Sequence, residues 1–96
     1  MLFHITHVHA PETCPYHDPE KARATFGKIL GGAEKLGVKL VGAWVDAAAH
    51  TIYIVAETDS AQKLEELLAP GFEIGYAETS IVQDGREVLK RRAGAG

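Results

Sequence analysis

The chain has 96 residues, a net charge of −3 and a single cysteine. That length gives one domain, large enough for one core but near the size at which a second subunit often completes burial. The charge leaves no broad basic surface, which excludes nucleic acid as a partner. No apolar run is long enough to span a membrane, and a lone cysteine cannot close an intrachain disulfide, so a cytoplasmic setting is expected.

Residues 2–9 (LFHITHVH) alternate and are rich in β-formers, which predicts a first strand. Met1 leads directly into it without a signal-peptide pattern. Residues 10–17 read as a loop punctuated by Pro11 and Pro15. Asp18-Pro19-Glu20 then starts a helix, with an N-cap acceptor, a proline at the first helical position and an acid near the dipole's positive end. Ala22, Phe26, Ile29, Leu30, Ala33 and Leu36 give it one apolar face, and Gly37 ends it. Gly27, Gly31 and Gly32 weaken its interior, which suggests that another backbone passes close by.

Strands are expected over 38–46 and 50–57 as a hairpin, although Ala47-Ala48-Ala49 lacks the favoured turn residues. Asp59 with Gln62 resembles a capping box. It opens a second helix whose Leu64, Leu67 and Leu68 face the core, and Pro70-Gly71 stops that helix. Residues 72–82 make a fourth strand, and Asp84-Gly85 turns into a basic segment. The expected organisation is one domain over 1–85 and a short basic tail over 86–96, with Lys90-Arg91-Arg92 marking a frayed terminus.

The order β-α-β-β-α-β is that of an α+β, ferredoxin-like fold, a four-stranded antiparallel sheet with two helices on one face. Leu40 and Trp44 alternate with Val41 and Val45, and Ile52 and Ile54 with Tyr53 and Val55, so both sheet faces are apolar. Two helices cover one face; a homodimer, sheet against sheet, would cover the other. Trp44 belongs to the core or that interface. In layout and length the chain resembles the dimeric α+β-barrel proteins, a group that includes muconolactone isomerase, haem-free antibiotic-biosynthesis monooxygenases and small metal-binding proteins. Met1-Leu2-Phe3-His4 and Phe72-Glu73-Ile74 are similar to muconolactone isomerase. The resemblance implies the dimeric barrel architecture and supplies no catalytic residues, so none is assigned.

Four of the five histidines and the cysteine fall in the first 17 residues: His4, His7, His9, Cys14 and His17. Imidazole and thiolate suit zinc, copper, nickel or cobalt rather than calcium or magnesium. On a strand, His7 and His9 project to one face about 6.6 Å apart, able to aim at one ion. His4 has the opposite parity, with Thr6 and Val8. The first helix starts just past strand one, which brings Cys14 and His17 beside His9. Taking the third strand as parallel to the first puts Glu57 near His9 as a further ligand or a partner fixing an imidazole tautomer, and leaves His50 at a remote surface turn. The expected metal ligands are therefore His7, His9, Cys14, His17 and Glu57, serving sequestration, sensing or metal-assisted chemistry.

The alternative expectation is a metal-free isomerase or monooxygenase with a small organic ligand in a cavity between sheet and helices. His4, Tyr53, Glu73, Tyr76 and Glu78 would approach that cavity, with His4, Tyr53 and Tyr76 binding the ligand and a Glu–His pair moving a proton. A third is a structural dimer without chemistry. No phosphate loop, nucleophile elbow or dinucleotide fingerprint is present.

Overall fold

The computed structural model describes residues 1–95. Strand β1 (Leu2–His9) leads through a 3-10 turn (Pro11–Thr13) into α1 (Pro19–Ala22), a π-helical turn (Arg23–Gly27) and α2 (Lys28–Leu36). Then come β2 (Lys39–Asp46), β3 (Thr51–Glu57), α3 (Ala61–Phe72), β4 (Gly75–Val82) and α4 (Gly85–Ala95). The sheet order is β2-β3-β1-β4, and each neighbouring pair is antiparallel. This is the ferredoxin-like α+β arrangement.

Alternation in β1 sorts its side chains as the sequence pattern requires. Phe3, Ile5, His7 and His9 are buried, while Leu2, His4, Thr6 and Val8 are half-buried on the opposite face. The buried face meets Ile52, Ile54 and Ala56 of β3, Ile29 and Ala33 of α2, and Leu64, Leu67 and Leu68 of α3. Each such aliphatic side chain contributes about 1.5–3 kcal/mol on full burial. Both main helices thus lie on one side of the sheet.

Several local expectations are corrected. Ser60, not Asp59, caps α3: its hydroxyl accepts the Lys63 N–H at 3.2 Å, while Asp59 faces the N-terminal ammonium at 3.4 Å. Pro70 and Gly71 lie inside α3 rather than stopping it, so β4 begins at Gly75. No foreign backbone passes the α2 glycines; a side chain at Gly31 would meet open space, and Leu30 is exposed. The basic segment expected as a frayed tail is helical, because the Asp84 carboxylate accepts the Arg86 and Glu87 N–H groups at 2.8 and 3.2 Å.

A β-bulge between Leu40 and Gly42 changes the parity of β2. Leu40 packs against the core, whereas Trp44 pairs with Tyr53 on the opposite face, so the two do not share a side as strict alternation predicts. The face away from the helices therefore carries Trp44, Tyr53, Val55, Val8 and Tyr76, with Trp44 56% and Tyr76 60% exposed.

Candidate metal centre

The site forms where β1 ends, and hairpin topology decides which residues arrive there. Strand β3 returns from β2 through a tight turn, so it runs antiparallel to β1 and pairs Val8 with Thr51 and Leu2 with Glu57. Glu57 is consequently at the far end of the sheet from His9, and the expectation that it neighbours the cluster is overturned. His50 takes that place. Its carbonyl accepts the His9 N–H at 3.1 Å, and the two rings stand 5.6 Å apart.

The turn that carries His50 is built from short polar bonds. The Asp46 carboxylate accepts the Ala49 N–H at 3.2 Å, the His50 N–H reaches Ala47 O at 3.3 Å, and the Thr51 hydroxyl donates to Ala49 O at 2.9 Å. His50 closes it in the left-handed region, at φ 51°. Few side chains rest there, although histidine does so more often than most.

Cys14 comes from the other side. The Thr13 hydroxyl donates to Ile74 O at 2.8 Å, the Cys14 N–H donates to Pro11 O at 3.4 Å, and the Asp18 N–H donates to Pro15 O at 3.0 Å. Asp18 then caps α1 by accepting the Lys21 N–H at 3.1 Å. The loop is thereby pinned to the start of β4 and to the helix, with Cys14 half-buried between the two anchors.

Among the described residues, one ligand atom each from His9, Cys14 and His50 lie within 4.8 Å of one another. Donors around a tetrahedral zinc stand about 3.4–3.6 Å apart, so closing on an ion takes shifts of about 1 Å. Both ring nitrogens of His9 and the Nδ1 atoms of His7 and His50 are buried without a hydrogen-bond partner. A buried polar atom left unpaired costs about 1–3 kcal/mol, so the three orphans on the convergent His9 and His50 rings require a reason. Burial, reinforced by the charges of His7 and His50, lowers the His9 pKa below its usual value. His9 is thus held as the neutral imidazole, the form that binds a metal.

His7, 1% exposed, stands behind this set rather than in it. Its Nε2–H donates to the Gly71 carbonyl at 2.8 Å, tying β1 to the C-terminal turn of α3. Phe26, presented by the π-helical turn, meets the His7 ring edge-on at 5.1 Å and the His9 ring at 5.9 Å. Such turns recur at functional sites because the extra residue swells the helix toward its neighbour. A cavity of about 220 Å³ opens beside the donors, walled by Pro15, Ala22, Phe26, Val45, Ala47 and Ile52.

The remaining predicted residues lie elsewhere. His17 is exposed against Tyr16 and is not in the convergent set, though it lines an adjoining groove with Cys14 and His50. His4, Tyr53, Tyr76 and Glu78 occupy the face away from the helices, so they do not line a cavity between sheet and helices; the His4 and Tyr53 rings are 6.2 Å apart. Glu73 is exposed at the end of α3. Sequence reasoning placed both Glu57 and His50 at the wrong ends of β3, and the antiparallel direction of β3 against β1 was the clue that would have exchanged them.

Comparison with known proteins adds the family. No curated protein matches the chain. The crystal structure of SCO4226 from Streptomyces coelicolor A3(2) is similar in fold, with a TM-score of 0.57 and 22% identity over 85% of this chain and 98% of that one. Residues 1–93 match the family described as "Domain of unknown function (DUF3303)", and with all but the last three residues matched, the chain belongs to that family.

Proposed function

We propose that this protein binds a transition-metal ion through His9, Cys14 and His50. The observation that carries this reading is the convergence of three nitrogen and sulfur donors within 4.8 Å, where His9 has no other use for either ring nitrogen. The donor set suits zinc, copper, nickel or cobalt and disfavours calcium and magnesium, which take oxygen ligands. Three protein ligands leave a coordination position free, as in sites that sense or activate a bound molecule rather than closed structural ones. His7 supports from behind, holding β1 against α3 so that His9 keeps its aim. A lone thiolate ligand survives best in a reducing compartment, so we place the protein in the cytoplasm. The apolar sheet face opposite the helices fits a second copy of the chain, making the working unit a homodimer.

Elemental analysis of the untagged chain and titration with cobalt(II) test the reading. One bound ion per chain is expected, with a thiolate-to-metal absorption band that Cys14→Ser removes. His9→Ala and His50→Ala should each weaken binding at least tenfold, while Glu57→Ala and His17→Ala leave it unchanged. Absence of stoichiometric metal, or indifference to the first three substitutions, would overturn it.

A further inference from the structure

We infer that the free coordination position serves a small exogenous ligand, a single aromatic ring carrying one anionic donor atom such as a thiolate or phenolate. This rests on the metal reading above and adds what the site takes. Two observations beyond the donors support it.

The first is the wall. Apart from the three donors, the cavity beside them is lined by Pro15, Ala22, Phe26 and Ile52 on its inner side, with Tyr16, Val45, Asp46 and Ala47 at the exposed side. Water has few polar partners there, so an apolar body is the better occupant. A cavity of about 150 Å³ with such a lining accommodates benzene, and this one measures about 220 Å³. One ring and its donor atom fit that space.

The second is charge. A divalent ion with one thiolate and two neutral imidazoles carries a net single positive charge. An uncompensated charge beside apolar walls is costly, and an anionic fourth donor cancels it. Asp46 is the one acid on the wall, but it is exposed and its Oδ1 accepts the Ala49 N–H in the turn. No side chain on the wall supplies the neutralising donor, which leaves that role to metal-bound hydroxide or to an anionic ligand, and the apolar lining favours a ligand with an apolar body.

The test uses the cobalt(II)-loaded full chain under argon, with benzenethiol as the probe. Benzenethiol should shift the visible cobalt spectrum saturably. Toluene, which has the ring alone, and azide, which has an anionic donor alone, should act at least tenfold more weakly. Val45→Trp and Ala47→Trp, both at exposed positions, fill the cavity from two sides. Each should keep the cobalt spectrum seen without thiol and lose at least tenfold in benzenethiol affinity. A wild type that ignores benzenethiol, or variants that respond as wild type does, would overturn the ligand assignment while leaving the metal reading intact. A chain that takes up no cobalt would remove both.

Discussion

His9 and His50 are joined twice: the His9 N–H donates to the His50 carbonyl at 3.1 Å, and their rings stand 5.6 Å apart at 72°. The backbone bond fixes the end of β1 to the β2–β3 turn, and the side chains converge as a result. Separating the two contributions is possible because His50 pays a conformational cost at φ 51° that glycine does not.

His50→Gly should therefore keep the turn and remove only the ring. Its expected outcome is a metal-free protein as stable as wild type, or more stable by about 1 kcal/mol, since a left-handed residue costs about 1–2 kcal/mol when it carries a Cβ. Metal affinity should fall at least tenfold in the same variant. Urea unfolding paired with cobalt titration reads both. Loss of stability and binding together would mean that the His50 ring is structural.

Most of the fold was legible because its signals are periodic or local. The burial of Phe3, Ile5, His7 and His9 follows from alternation, and Asp18-Pro19 capped the first helix as its chemistry dictates. Other features were not. The Val41 bulge is a one-residue insertion that leaves no mark on composition yet moves Trp44 to the other face from Leu40. Pro70 is accommodated within α3 instead of ending it. The direction of β3 is a property of topology: read as parallel to β1 it delivers Glu57 to the site, and in its actual antiparallel sense it delivers His50. The amino-terminal histidine–cysteine cluster thus pointed to the end of the sheet where His9 and Cys14 meet, but not to His50, the third member of the convergent group.

Acid should weaken the metal-free fold through His9. Burial lowers its folded pKa below the unfolded value of about 6.5, so the unfolded chain takes up this proton first as pH falls. The stability linked to His9 is fully present above about pH 6.5. It declines as pH drops through that value toward the folded pKa, below which no further loss comes from this group. Urea midpoints of metal-free wild type should fall between about pH 7.5 and about pH 5.5 by more than those of His9→Gln. Equal slopes would remove His9 as the cause.

Two glycines should respond to alanine in opposite directions. At Gly75 an added Cβ would run into the Val8 carbonyl oxygen and come within 3.0 Å of both His7 Cε1 and His9 Cα. Gly75→Ala is expected to destabilise by about 2 kcal/mol through overpacking and to disturb metal binding by displacing β1. At Gly31 the added Cβ meets nothing within 4 Å. Gly31→Ala should stabilise α2 by about 0.5–1 kcal/mol and leave binding untouched. Denaturant titration of both variants checks the pair, and a destabilised Gly31→Ala would contradict the open space seen there.

The proposed homodimer would use the sheet face that the helices leave bare. Trp44 lies flat on it, because the indole covers Gly42 so closely that a Cβ there would stand 2.7 Å from Trp44 Cζ2. The strand pairing puts Trp44 beside Tyr53, and the same face carries Val55 and Val8. A half-exposed tryptophan held flat over glycine has little rotamer freedom left to lose, which makes it a favourable anchor for a partner sheet. Sedimentation at micromolar concentration should give twice the 10.3 kDa chain mass for wild type. Trp44→Glu should sediment as a monomer, since a carboxylate at the centre of an apolar contact is left desolvated and unpaired. The proposed metal site, with His9 on the buried face of β1, lies on the helix side of the sheet, so this variant should retain cobalt binding within a few-fold. A monomeric wild type would sink the dimer, and loss of cobalt on dissociation would mean that the partner helps to shape the site.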